Sequence, residues 1–372
     1  MGAVAAHLVI LSYALAPRGS QLFFDSDVTT ADRAGCDFYA LYVAGYNLRH
    51  GQSVYDERDD LTPCRYSFRY LPVAAALGVP FSFLAPVTAY RLWLVMIELS
   101  VTAGLYCTWI LSQRKLDAFA PLAVVWLCAS PVYLELRLGQ YSLLQAALVM
   151  IAATAARTGA SKSFTASLAA SLCFKLNSWL ALPSVLRARK FLPLFLAAII
   201  LLVTSVPHFL TFPSSLQDFL SNLRVEGVAA DQGFTRGNLG LSMLIGAIMD
   251  NSFTPAMVQI VFLSCFAAGC AATLYKSRMD LSEQLVFWLA LSLLAYKHTW
   301  EHHYVMALPA LTFLGLRARG VAFWIVAALI VLPTPYYFFI GDWLPWRTLV
   351  YHAWKPTALT ILLIRMTLPK TG

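Results

Sequence analysis

Apolar runs of roughly 14–25 residues recur along almost the whole chain, and short clusters of lysine and arginine separate many of them. No other feature constrains the fold as tightly. Crossing the hydrocarbon core of a bilayer takes about 20 apolar residues in a helix, and a helix satisfies every backbone polar group where no water can. The first run extends roughly from Ala3 to Ala16. The others lie at about 70–86, 88–112, 119–134, 140–156, 163–186, 191–210, 254–275, 283–297, 303–316, 321–339 and 356–369. They predict an all-α polytopic membrane protein with about ten to twelve transmembrane helices.

Composition argues against a soluble fold. Charged residues fill 12% of the 372 positions, half the density of about a quarter found in soluble domains. No stretch is polar enough to form a separate soluble unit, so residues 1–372 read as a single transmembrane domain. The net charge of +8 is spread over short clusters: Arg114 with Lys115, Arg157 with Lys162, Arg187 with Arg189 and Lys190, Lys276 with Arg278, and Arg317 with Arg319. That is the pattern of cytoplasmic loops. A nucleic-acid partner is not expected, because the charges do not collect on one face.

Two runs bear on topology. Segment 163–186 has basic clusters on both flanks and is interrupted by Lys175 and Asn177, which predicts two half-length helices meeting at Lys175. Segment 70–86 contains Pro80 and Pro86; reading it as re-entrant or surface-lying keeps every basic cluster cytoplasmic. Both termini are then cytoplasmic. Loop 18–67, the turn at Leu138-Gly139-Gln140, the tip at Lys175, loop 211–238, the stretch from His298 to His303 and loop 340–353 face outward. The first run reads as an uncleaved span rather than a signal peptide, because no Lys or Arg precedes it and Pro17 follows directly.

Loop 18–67 is the longest polar stretch and holds eight of the nineteen acids: Asp25, Asp27, Asp32, Asp37, Asp56, Glu57, Asp59 and Asp60. Within it, Phe38 to Leu48 mixes aromatic and small residues at helical spacing, which predicts a short amphipathic helix at the interface. Asp37, just before it, reads either as the helix N-cap or as a general base beside a lipid substrate. Cys36 and Cys64 share the loop. In an oxidising compartment they would pair as a disulfide; two free thiols are an equal alternative. The other cysteines sit in apolar runs and read as small buried hydrophobes.

Familiar catalytic signatures are missing: there is no Walker A loop, Rossmann fingerprint, metal-spaced Cys or His pair, or nucleophile elbow. No cytoplasmic loop is long enough for a nucleotide-sugar domain. The candidates are polar residues at the membrane edge. Lys175 is an intramembrane charge, which points to function, with snorkelling as the plain alternative. Arg69 and Tyr70 precede Leu71-Pro72, while Gln140 and Asn238 open spans, where each could be an end-cap. The run Trp300-Glu301-His302-His303-Tyr304 lies at a helix junction. Adjacent helical histidines point about 100° apart and make a poor shared metal site. With Lys297 and His298 they form a donor-rich rim suited to phosphate.

Taken in order, several of these fragments resemble one family. They are Cys36-Asp37-Phe38-Tyr39, Gly51-Gln52-Ser53-Val54-Tyr55, Phe68-Arg69-Tyr70-Leu71-Pro72, Leu138-Gly139-Gln140-Tyr141-Ser142-Leu143-Leu144, Phe174-Lys175-Leu176, Gly237-Asn238-Leu239-Gly240-Leu241 and Thr299-Trp300-Glu301-His302-His303. The set resembles the polyprenyl-phosphate-mannose-dependent α-mannosyltransferases of glycosyltransferase family 87, within the GT-C class, over about residues 25 to 315. The resemblance implies a GT-C fold in the cell (plasma) membrane, with short interfacial helices in the first outer loop and an outward-facing site. It implies a polyprenyl-phosphate sugar donor and inverting transfer to a hydroxyl of a lipid or glycan acceptor. Family members place an essential acid early in the first outer loop, and Asp37 matches that position. Donor phosphate and sugar then fall to Arg69, Lys175, His302, His303, Gln140 and Asn238, with Tyr70, Trp300 and Glu301 in support. The isoprenoid tail would run among residues such as Phe81 and Phe83. No metal or other cofactor is required, because phosphate is already a good leaving group. Many relatives carry Ser-Pro where this chain has Lys297-His298-Thr299, which leaves mannose, arabinose, glucose and galactose open as the sugar.

Two other classes compete. A transporter or flippase of lipid-linked sugars would use the same broken helices, but no pseudo-symmetric halves are visible and it gives no reason for so long an acidic loop. A non-catalytic scaffold that binds lipid-linked sugars is the other.

Overall fold

A computed structural model describes residues 2–15, 34–58, 60–64, 67–223, 238–249, 254–275, 278–334 and 345–369. Among these residues the chain is helical, with no strand and one isolated antiparallel bridge between Asn238 and Trp300. The main helices are α1 (Gly2–Leu15), α2 (Cys36–Arg49), α3 (Pro86–Leu111), α4 (Leu116–Leu127), α5 (Ser130–Leu138), α6 (Ser142–Thr158), α7 (Ser161–Phe174), α8 (Phe191–Thr211), α9 (Pro213–Leu223), α10 (Leu241–Ile248), α11 (Pro255–Leu274), α12 (Leu281–Ala295), α13 (Leu308–Arg317), α14 (Val321–Val331) and α15 (Pro345–Thr367). Asp25, Asp27, Asp32 and Asp59, and residues 224–237 and 340–344 of the expected outer loops, lie outside the described residues; the expected loops are otherwise largely helical, in α9 and the start of α15.

Among the described residues, α3, α8 and α11 are each long and apolar enough to cross a membrane, and α4 with α5, bent by 45°, is a broken span or a re-entrant loop that would bring the number to four if it is one span. Three further apolar helices, α6, α12 and α14, are shorter, so the described residues show three to four helices of spanning length where ten to twelve spans are expected. The lipid-facing character of the long helices is plain on α8, where Phe195, Leu202, Val203 and Leu210 all project outward and exposed; water would not tolerate so continuous an apolar face. The centre is formed by α6 and α12. Every residue of α12 from Ser282 to Ala295 is buried, as expected of a helix apolar on all sides. Its start is closed by a capping box of Asp280 and Glu283, which Arg157 joins at 2.9 and 3.4 Å.

Both unusual runs fold as their flanks predict. In 163–186, α7 ends at Phe174, Lys175 is extended, and a 3-10 turn (Leu176–Ala181) leads into the short helix Leu182–Arg187. In 70–86 there is one helical turn, Pro72–Ala75, and a 3-10 turn, Phe81–Phe83, but no spanning helix.

The helix expected to lie at the interface differs. In α2 the side chains of Phe38, Tyr39, Leu41 and Tyr42 are buried in protein, and Phe38 packs against Phe81 and Trp93 at ring distances of 5.6 Å. The small residues explain it. A Cβ on Gly45 would fall 2.2 Å from the Gly78 carbonyl carbon, so glycine lets the turn after Pro72–Ala75 close directly onto the α2 backbone. The aromatic residues of α2 are therefore a core face, not a membrane-facing one.

Candidate functional site

The start of α2 is stitched to the end of α5. Gly35 N–H donates to the Arg137 carbonyl at 2.9 Å. From α3, the Tyr90 hydroxyl donates to the Leu136 carbonyl at 2.8 Å and the Trp93 indole to the Gly139 carbonyl at 2.8 Å. Gly139 ends α5 at φ 69°, and a Cβ there would fall 2.6 Å from Phe38 Cβ; both the left-handed backbone and the contact call for glycine. The turn sets Gln140 against Asp37, and the two side chains are hydrogen-bonded. Asp37 is therefore not the N-cap of α2. Gly35, at φ 78°, takes that position and Asp37 stands in the first turn. Cys36 and Cys64 are joined by a disulfide, with Cα atoms 5.6 Å apart, which ties the loop to the same place.

Two cations face this acid. Lys175 does not snorkel: it is buried, its ammonium donates to Ser142 Oγ at 2.6 Å, and it lies 5.0 Å from the Tyr141 ring centre and 5.9 Å from that of Tyr70. Arg69 is exposed and acts electrostatically on Asp37, Lys297 and His298. Asp37 keeps a partly exposed side chain, yet burial pushes its carboxyl up to about 6, against the opposing pull of Gln140, Lys175 and Arg69. His298 is held down to about 4, first by burial and then by the charges of Lys297 and Arg69.

Glu135 belongs to the same cluster, and no reading of the sequence singled it out. It is fully buried, its Oε2 accepts the Leu143 N–H at 3.1 Å, and Ser142 bonds to it. It acts electrostatically on Lys175 and Asp37, while its Oε1 has no hydrogen-bond partner among the described residues. A glutamate between apolar runs was the available signal.

The junction after α12 supplies the histidines. Asn238, completely buried, donates to the Lys297 carbonyl at 2.7 Å and accepts from Thr299 N at 2.9 Å and Gly240 N at 3.1 Å. Its amide thus shapes the junction instead of opening toward a ligand. His303 Nδ1 accepts the Trp300 N–H at 3.1 Å, and the ring also bonds to the His298 backbone, so His303 is largely committed as well. His302 differs: its Nε2 is buried with no hydrogen-bond partner among the described residues, and the ring lies within the field of Lys175. Trp300 is half-buried at the bridge to Asn238. Glu301 points elsewhere. It accepts from Thr334 N at 2.9 Å and pairs with the buried Lys355 at 3.5 Å.

The structure thus brings Asp37, Gln140, Lys175, Arg69, Tyr70 and His302 together, and makes Asn238, His303 and Glu301 part of the frame. Among the described residues no three His, Cys, Asp or Glu side chains are grouped so as to hold a metal ion.

Fold and site together define an all-α polytopic membrane protein with an acid, an amide and cations gathered in one cluster. A family model described as glycosyltransferase family 87 matches residues 68–297. The chain belongs to glycosyltransferase family 87, and is accordingly a membrane glycosyltransferase. The match covers Arg69, Gln140, Lys175 and Asn238, while Asp37 and His302 lie outside it and join the cluster through the fold. No curated protein matches the chain. No solved structure does either.

Proposed function

We infer that this glycosyltransferase moves a sugar, mannose in the first instance, from a polyprenyl-phosphate donor to a hydroxyl of a lipid or glycan acceptor, with inversion, on the extracytoplasmic face of the plasma membrane. The observation that carries this reading is the contact of Asp37 with Gln140 within the field of Lys175 and Arg69. It sets a carboxylate that can take a proton beside cations that can take a phosphate.

In this reading Asp37 accepts the acceptor's hydroxyl proton as that oxygen bonds to the anomeric carbon. The bond from that carbon to the phosphate oxygen breaks, and its electron pair leaves with the polyprenyl phosphate. Charge then moves without changing in sum. Before transfer, ionised Asp37 and a singly charged phosphodiester face Lys175 and Arg69; afterwards, neutral Asp37 and a doubly charged monoester face the same pair. Such a preset field stabilises the charge as it develops, and His302 Nε2, with no partner among the described residues, would add a hydrogen bond. An acid near 6 is mostly ionised at neutral pH yet still basic enough to draw a proton. Glu135 acts through Ser142 to hold Lys175 in place. Phe83, exposed, is available to an isoprenoid tail, whereas Phe81 packs against Phe38 and Trp93. The disulfide beside Asp37 supports an oxidising, extracytoplasmic side, as do the basic clusters at the other ends of the helices.

The test is to supply the reconstituted protein with polyprenyl-phosphate mannose, radiolabelled in the sugar, and a lipid extract. The arabinose, glucose and galactose donors are then tried in parallel. Label on a new lipid is the expected result. Label that stays on every donor overturns the reading, and unaltered donor appearing across a sealed bilayer favours a transporter.

A further inference from the structure

A second recess lies at the far end of the bundle. Helix α6 begins at Ser142, bonded to Lys175, and ends at Thr158; its 17 residues separate the two ends by about 25 Å. There a cleft of about 410 Å³ opens between the α6–α7 turn and the start of α8. Phe164 and Leu281 form its inner wall, and Phe191 and Leu192 its outer one. Both outer residues are more than half exposed, and the apolar face continues along α8 through Phe195. Arg189 and Lys190, both exposed, stand at its rim.

The charge at this rim is not cancelled locally. Among the described residues no acidic side chain lines the cleft. The nearby acids Asp280 and Glu283 are engaged by Arg157 at 2.9 and 3.4 Å. An apolar slot that runs into a lipid-facing helix, ending in two adjacent cations, is complementary to an anionic amphiphile. A neutral lipid would leave the cations unanswered, and a soluble anion would leave the slot unfilled.

We propose that this cleft holds a phospholipid with an anionic headgroup, one acyl chain lying against Phe164, Phe191 and Leu192 and the phosphate met by Arg189 and Lys190. The site is independent of sugar transfer. It lies on the side where basic clusters gather, the leaflet in which anionic lipids attract such residues.

The full-length protein is reconstituted in bilayers of phosphatidylcholine with one tenth phosphatidylglycerol, extracted gently, and its retained lipids are counted by native mass spectrometry. Wild-type protein is expected to keep phosphatidylglycerol in preference to phosphatidylcholine. The double variant Arg189→Gln/Lys190→Gln should lose about tenfold of that retention. The control Arg114→Gln/Lys115→Gln removes the same charge from another cluster and should keep it. Equal retention of the two lipids by wild-type protein overturns the proposal, a comparison that needs no variant to fold. So does equal loss in both double variants, which would mark general surface attraction, or undiminished retention in the Arg189/Lys190 variant.

Discussion

Lys175 and Glu135 share one hydroxyl. The ammonium donates to Ser142 Oγ at 2.6 Å, Ser142 bonds to Glu135, and Glu135 Oε2 also accepts the Leu143 N–H at 3.1 Å. Each charge is set among apolar helices, where an isolated ion is costly, and each makes the other tolerable. The pair comes from different helices, so it locks the break after α7 to the start of α6 and fixes where the ammonium points.

Glu135→Gln keeps the shape and removes the charge. Lys175 then keeps only Asp37 as a counter-charge, and the folded state should lose on the order of 3 kcal/mol, read as a lower melting temperature. The donor phosphate should bind as well or better, because the ammonium is no longer shared with the Glu135 carboxylate. A fall in kcat of a hundredfold or more with donor KM unchanged would instead make Glu135 a group that reacts.

The pH profile follows from Asp37. Its carboxyl is raised to about 6, so below that pH it is protonated and, on the proposed mechanism, unable to act as the base. With the substrate-free protein setting the profile, kcat/KM should fall as pH drops through about 6, to about a tenth of its plateau one unit lower. An acid limb centred near 4 would mean that the base is an ordinary exposed carboxylate elsewhere.

How much of this was legible in the sequence depends on the range of each interaction. The break at Lys175 was readable, because a lysine between apolar halves flanked by basic clusters leaves few other topologies. Glu135 was not, since the apolar run 119–134 stops one residue short of it; it is buried in α5, which is bent by 45° from α4. Asn238 was visible as a polar residue at a helix start. Its partners, Lys297 and Thr299, are about sixty residues away, and no local pattern encodes them. The place of α2 failed for the same reason. Aromatic and small residues at helical spacing describe an apolar face, and only the approach of Gly45 to Gly78 decides that protein covers it.

Asn238→Ala removes one donor and one doubly used acceptor from a buried junction. Left unpaired, the Lys297 carbonyl and the two N–H groups should cost on the order of 3 kcal/mol in stability. The Trp300-to-His303 turn should shift with it, raising donor KM. An unchanged melting temperature with lost donor binding would show that the amide serves the substrate directly.

Cys36→Ser/Cys64→Ser opens a link between residues 28 apart in sequence. A closure of that size is worth about 3.6 kcal/mol, so the variant should be less stable by up to that amount and melt at a lower temperature. Reductant should lower the wild-type melting temperature and leave the variant unaffected. A reductant response in the variant would place the sensitivity elsewhere.

The central claim is that Asp37 is the base of a sugar transfer, and Asp37→Asn tests it with two readouts from one preparation. A raised carboxyl binds its proton more tightly folded than unfolded, so stability is lost as pH climbs from 3.8 to about 6. At neutral pH the variant should therefore melt higher, by up to about 3 kcal/mol. Transfer from polyprenyl-phosphate mannose should fall at least a hundredfold. A variant that is more stable and nearly inactive is the predicted result; one that turns over the donor at a rate near the wild type contradicts the account.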